Sequence, residues 1–92
     1  MKSRNNELPV PTAISADDAA RELARIWSVG DRQQFVLASE IWDDPAAWGL
    51  LLVDLARQAA RAYAVSPKGW AEEDALARIK QGFDAEWFNP TE

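Results

Sequence analysis

The sequence predicts an α+β domain, a β-hairpin followed by two antiparallel helices (ββαα), completed by dimerisation. Three observations carry this. Apolar residues alternate along 23–29 and again along 34–38, with Gly30-Asp31 between them, as two strands joined by a tight turn would require. Residues 45–64 and 71–88 then carry apolar side chains at helical spacing, separated by Ser66-Pro67-Lys68-Gly69. Finally, a 92-residue chain without cysteine or histidine lacks the usual staples of a small fold.

That last point bounds the chain's stability. A domain this short buries only about 60–65% of the surface its unfolded form exposes, so it is marginal unless something is added. Without cysteine there is no disulfide, and without histidine the commonest zinc ligand and general base are missing. A second subunit is the remaining route. The formal charge of −5 and a pI near 4.6 oppose phosphate backbones and anionic lipid, so neither nucleic acid nor membrane is an expected partner. No twenty-residue apolar run exists; the segment 50–55 is broken by Asp54. Lys2 and Arg4 are followed by no apolar stretch of the kind a signal peptide needs, and the expected location is cytoplasmic.

Taken in order, residues 1–14 read as a flexible or extended N-terminal segment, and residues 15–92 as a single domain. Pro9 and Pro11 each push the preceding residue towards extended geometry. Ser15-Ala16-Asp17-Asp18 is spaced to cap a short helical turn through Arg21. The alanine-rich residues 19–24 could prolong that turn, which leaves 15–22 open between helix and strand.

The hairpin's register follows from its turn. If Gly30-Asp31 is a two-residue loop with glycine first, Val29 faces Arg32 and Ile26 faces Phe35; a four-residue loop gives the same partition, and a three-residue one exchanges the faces of the second strand. One face then holds Ala24, Ile26, Phe35 and Leu37, apolar enough to cover a helix. The other holds Leu23, Arg25, Trp27, Val29, Arg32, Gln34, Val36 and Ala38. Within it, Leu23, Arg25, Trp27, Val29 and Val36 form a candidate interface. Burial of Trp27 under the N-terminal segment is the equal alternative.

The run Trp42-Asp43-Asp44-Pro45-Ala46-Ala47-Trp48-Gly49-Leu50-Leu51-Leu52 opens the first long helix. Asp43 and Asp44 are candidate helix caps, because a carboxylate accepts from the first backbone N–H groups and proline suits the first helical position. Trp48, Leu51, Leu52, Leu55, Ala59, Ala62 and Tyr63 make the expected core stripe. Leu50 and Val53 widen the apolar arc, and Ala56 and Ala60 allow a close helix neighbour. The last helix carries Glu72, Glu73 and Asp74 in its first turn, where the macrodipole favours them. Its stripe is Leu76, Ile79, Phe83 and Trp87, and Asn89-Pro90 stops it.

Chemistry is scarce in this residue set. Asp43-Asp44 could act as acid and base or bind a hard cation, but capping needs the same residues at the same place, and no further oxygen ligands lie nearby. Arg57, Arg61 and Lys68 could grip an anion, but read better as a solvated face. Catalytic triads, glycine-rich phosphate loops and zinc spacings are absent. The five tryptophans fit a small core, Trp48 and Trp87 above all.

The run from Trp42 to Arg57 resembles a family of small, uncharacterised bacterial proteins, a domain of unknown function. The strand Leu23-Ala24-Arg25-Ile26-Trp27, the stretch Ala75-Leu76-Ala77-Arg78-Ile79 and Gly82-Phe83-Asp84-Ala85-Glu86-Trp87 extend the likeness over roughly residues 20–88. The resemblance implies an α+β domain and carries no activity, catalytic residue or cofactor. The expected function is therefore non-catalytic: a small self-associating interaction module, a homodimer with no cofactor or metal. The alternative is a small-molecule binder with a tryptophan-lined pocket between hairpin and helices.

Overall fold

A computed structural model describes residues 7–91. It confirms the ββαα order: a short helical turn α1 (Thr12–Ser15), strands β1 (Ala24–Val29) and β2 (Arg32–Leu37), and helices α2 (Ala46–Val65) and α3 (Glu72–Phe88). The chain forms two compact units, residues 1–41 and 42–92, each described by itself.

In the first unit, α1 lies before Ser15 rather than after it, which corrects the expected turn through Arg21. The Pro11 carbonyl accepts the N–H groups of Ile14 and Ser15 at 3.0 and 3.1 Å, so the turn starts from the proline. Beyond it, Asp17 Oδ1 accepts the Ala19 N–H at 2.9 Å. That local bond closes a turn with a group a continuing helix would have needed. Residues 12–14, expected to be extended, are therefore helical, and residues 17–22 are neither helix nor strand. Residues 1–6 of the expected N-terminal segment lie outside the described residues.

The hairpin has the register its turn predicts. Gly30 sits at φ +63°, the left-handed conformation required at the first position of a type II′ turn and strained for any side chain. Val29 pairs with Arg32, Ile26 with Phe35 and Ala24 with Leu37, in antiparallel sense. The Ala38 N–H donates to the Leu23 carbonyl at 2.9 Å, continuing the ladder past both strands. Because side chains alternate, Ala24, Ile26, Phe35 and Leu37 share one face, and Arg25, Trp27, Val29 and Val36 the other.

The second unit opens on its cap. Pro45 already has helical angles (φ −55°, ψ −21°), so Asp44 is the residue at the boundary. Asp44 Oδ1 accepts the Ala46 N–H at 2.9 Å, and its carbonyl accepts the Ala47 N–H at 3.1 Å. Asp43 is exposed and makes no such bond. At the other end, Ser66 is extended (ψ 162°) because Pro67 disfavours helical geometry before it. The Ser66 N–H and Oγ both donate to the Tyr63 carbonyl, at 3.2 and 2.8 Å, and Gly69 at φ +81° turns the chain. Helix α3 starts with Glu72, Glu73 and Asp74 in its first turn.

Packing between α2 and α3 differs from the expected core. The only buried residues among those described are Ala60 and Ala75, close to the connection between the helices. Leu51, Ala56 and Ala59 on α2 and Leu76 and Ile79 on α3 are half-buried. Leu52, Leu55, Ala62 and Tyr63 are exposed, as are Phe83 and Trp87. Trp87, expected in the core, is 67% exposed. The physical reason is geometric: α3 covers one side of α2, whereas the apolar arc of α2 is wider than one neighbour can cover.

Two stability changes follow. Asp44→Ala should cost about 1 kcal/mol by thermal or urea melting at fixed protein concentration, whereas Asp43→Ala should stay within about 0.5 kcal/mol of the parent. Ala60→Leu should cost about 1–3 kcal/mol, because the buried seam has no space for added methylenes; an unchanged melt would show that the helices do not close on Ala60.

Candidate functional site

The strongest chemical feature of the surface is its exposed apolar side chains, and both units carry them. On the hairpin, Ile26 is 54% and Phe35 59% exposed, Leu37 is exposed beside them, and Ala24 on the same face is half-buried. The opposite face is less uniform. Leu23 and Trp27 are half-buried, while Val29 and Val36 are exposed. Arg25, between them in the sequence, is engaged: its Nε donates to Glu22 Oε2 at 2.8 Å, and its Nη1 lies 3.5 Å from Glu7 Oε2. The hydrogen bond to the Glu22 carboxylate, more than its charge, holds the guanidinium above its ordinary pKa. The Glu7 contact brings the N-terminal segment to the edge of the candidate interface.

On the helical unit, Leu50 is 72% exposed, with Val53 and Leu55 also open. Phe83 and Trp87 stack at a centroid distance of 5.5 Å and an interplanar angle of 17°. With Glu86 and Pro90 they line an open groove of about 490 Å³. Glu86 is held there by Thr91, whose N–H and Oγ1 donate to its two carboxylate oxygens at 2.6 and 2.9 Å. Two other aromatic pairs meet edge to face, Trp42 with Trp48 at 5.1 Å and Tyr63 with Trp70 at 6.3 Å. A smaller depression of about 240 Å³ on the hairpin, lined by residues 22–25 and 36–38, contains no tryptophan.

The charged candidates are dispersed. Arg61 Nε lies 3.5 Å from Glu72 Oε2, so this arginine faces the start of α3. Lys80 pairs with Asp84 along α3. Among the described residues no three of His, Cys, Asp or Glu gather as a metal site would require. No helix among them is long and apolar enough to cross a membrane.

Sequence reasoning placed the hairpin's faces correctly but assigned exposure to only one of them. The signal for the other was present, since both faces carry large apolar residues and a single chain offers few elements to cover them.

Comparisons with known proteins bear on the family. Among curated proteins there is no significant match. One solved structure, described as that of "a putative pyruvate dehydrogenase from the photosynthetic bacterium Rhodopseudomonas palustrus CGA009", is 34% identical, with a TM-score of 0.73 over 99% of this chain and 92% of that one. The family model for the Domain of unknown function DUF5076 matches residues 7–91. The chain therefore belongs to the DUF5076 family.

Proposed function

We propose that this protein is a small self-associating interaction module, a homodimer without a catalytic step of its own. The carrying observation is that no described residue larger than alanine is buried. Ordering a chain costs roughly 1–2 kcal/mol of backbone entropy per residue, and apolar burial is the main term that offsets it. Two buried alanines offset very little. The exposed Ile26, Phe35, Leu50, Leu55, Phe83 and Trp87 are the surface whose burial would close the gap. A short chain with neither cysteine nor histidine reaches that burial through another subunit. An acidic, cysteine-free chain also suits the bacterial cytoplasm, where disulfides are rare.

The dehydrogenase description is that of the solved relative and assigns no residue of this chain a role. Histidine and cysteine are absent, and the Asp43-Asp44 pair stands at a helix start where Asp44 caps. A small-molecule reading is less well supported. Binding pockets typically enclose about 70–90% of a ligand's surface, whereas the Phe83–Trp87 groove is open and contains a single tryptophan.

Sedimentation at micromolar concentration should give twice the chain mass of 10.3 kDa. A stable monomer with a two-state melt overturns the proposal. Phe35→Asp should lower the mass seen at a given concentration and, because the missing burial comes from the second copy, lower the melting temperature with it. An unchanged mass would remove Phe35 from the contact between copies.

A further inference from the structure

We infer that two copies of this chain join edge to edge through β2, with Phe35 of each copy meeting on the two-fold axis. The inference rests on the self-association reading and specifies its contact.

The hairpin's register fixes which backbone groups are available. Val29 and Arg32 flank the two-residue turn, so they exchange hydrogen bonds, as do Trp27 with Gln34 and Arg25 with Val36. The Ala38–Leu23 bond falls on the same alternation. The N–H and C=O groups of Gln33, Phe35 and Leu37 therefore point away from β1. Among the described residues the sheet has only these two strands, so that edge is unpaired. Exposed edges in stable proteins are usually blunted by proline, lysine, a bulge or an inward charge. Strand β2 has none of these: its sole charge is Arg32, at the turn end.

The β1 edge is the competitor, and it is less free. Ala24 and Trp27 on β1 are half-buried, and Arg25 is held by Glu22 and Glu7. Every residue of β2 is exposed.

A second copy is the occupant because β2 complements itself. In antiparallel self-pairing, Phe35 meets Phe35, Gln33 meets Leu37 and Gln34 meets Val36. The pairing joins ring to ring on one face and carries the Ile26–Phe35 row across four strands as Ile26, Phe35, Phe35 and Ile26. Arg32 falls opposite Ala38, so no like charges oppose. A register centred on Gln34 would set Phe35 against Gln33 and Leu37 against Asp31, losing the apolar pairing; one centred on Val36 would set Phe35 against Leu37 and break the continuous row of Ile26 and Phe35 across the four strands. Two strands alone are marginal in water, whereas four with a common apolar face are not. The contact is isologous, as a two-fold dimer requires.

The chain contains no cysteine, so introduced pairs report contacts directly. Gln34→Cys and Val36→Cys chains, differently tagged and co-produced, would place their Cα atoms about 4.5 Å apart in this register, inside the range a disulfide spans. Mild oxidation should give the mixed covalent dimer in about tenfold or greater excess over either like pair, a preference set by the two-residue offset of like cysteines. Ala24→Cys with Ser28→Cys, whose Cα atoms would lie about 5.5 Å apart if β1 self-paired about Ile26, probes the β1 edge and should not cross-link. Sedimentation of the parent chain separates the two readings. A dimer that cross-links only at 24 and 28, or at neither pair, overturns pairing through β2 while self-association stands. A monomer overturns both.

Discussion

The contact on which the rest of the structure depends is the alanine seam between α2 and α3. Ala60 and Ala75 are the only side chains the described chain buries fully; Leu51, Ala56, Ala59, Leu76 and Ile79 around them are only half-buried. Burying a methylene-sized group is worth about 0.8 kcal/mol, so this seam stabilises the helix pair by very little. Small residues there have a second effect. They bring the helix axes together while leaving the larger side chains on the flanks, where Leu52, Leu55, Phe83 and Trp87 stay in contact with water. A seam of leucines would have made a self-sufficient hairpin; a seam of alanines leaves most of the apolar payload for a further partner.

The hairpin is subject to the same constraint in a different geometry. Its two faces both carry large apolar residues, and a two-stranded ribbon can bury neither against itself. The Arg25 cluster with Glu7 and Glu22 shows how the chain treats one of them: a partly exposed charge network brings the N-terminal segment alongside. Such exposed pairs contribute about 0–1 kcal/mol each, enough to bias a segment and far too little to replace a core. The face of Ile26, Phe35 and Leu37 has no equivalent polar network among the described residues.

Much of this was legible in the residues. A two-residue Gly30-Asp31 loop gave the observed register, a four-residue one would have given the same faces and a three-residue one would have exchanged those of β2, so only the loop length was left for the structure to decide. Asp44-Pro45 and Ser66-Pro67 marked the limits of α2 through capping and proline sterics. The turn near residue 12 was missed because Pro11 started it while Asp17 took the local bond that would have carried a helix onwards. Burial was misread for a different reason. Periodicity identifies which side chains lie on an apolar stripe, but not whether the covering surface belongs to the same chain. Trp87 and Phe35 lie on the predicted faces and are still exposed.

If the single chain lacks a core, folding and association are one equilibrium, and stability must depend on how much protein is present. The direct measurement is the melting temperature of the parent chain across about a hundredfold range of protein concentration, followed by circular dichroism of the helices. Coupled folding and dimerisation predicts a melting temperature that climbs steadily with concentration, together with a dimer mass below the transition. A melting temperature that stays constant across that range, with cooperative unfolding of a monomer, would contradict the account: it would mean that a chain burying only two alanines is stable alone.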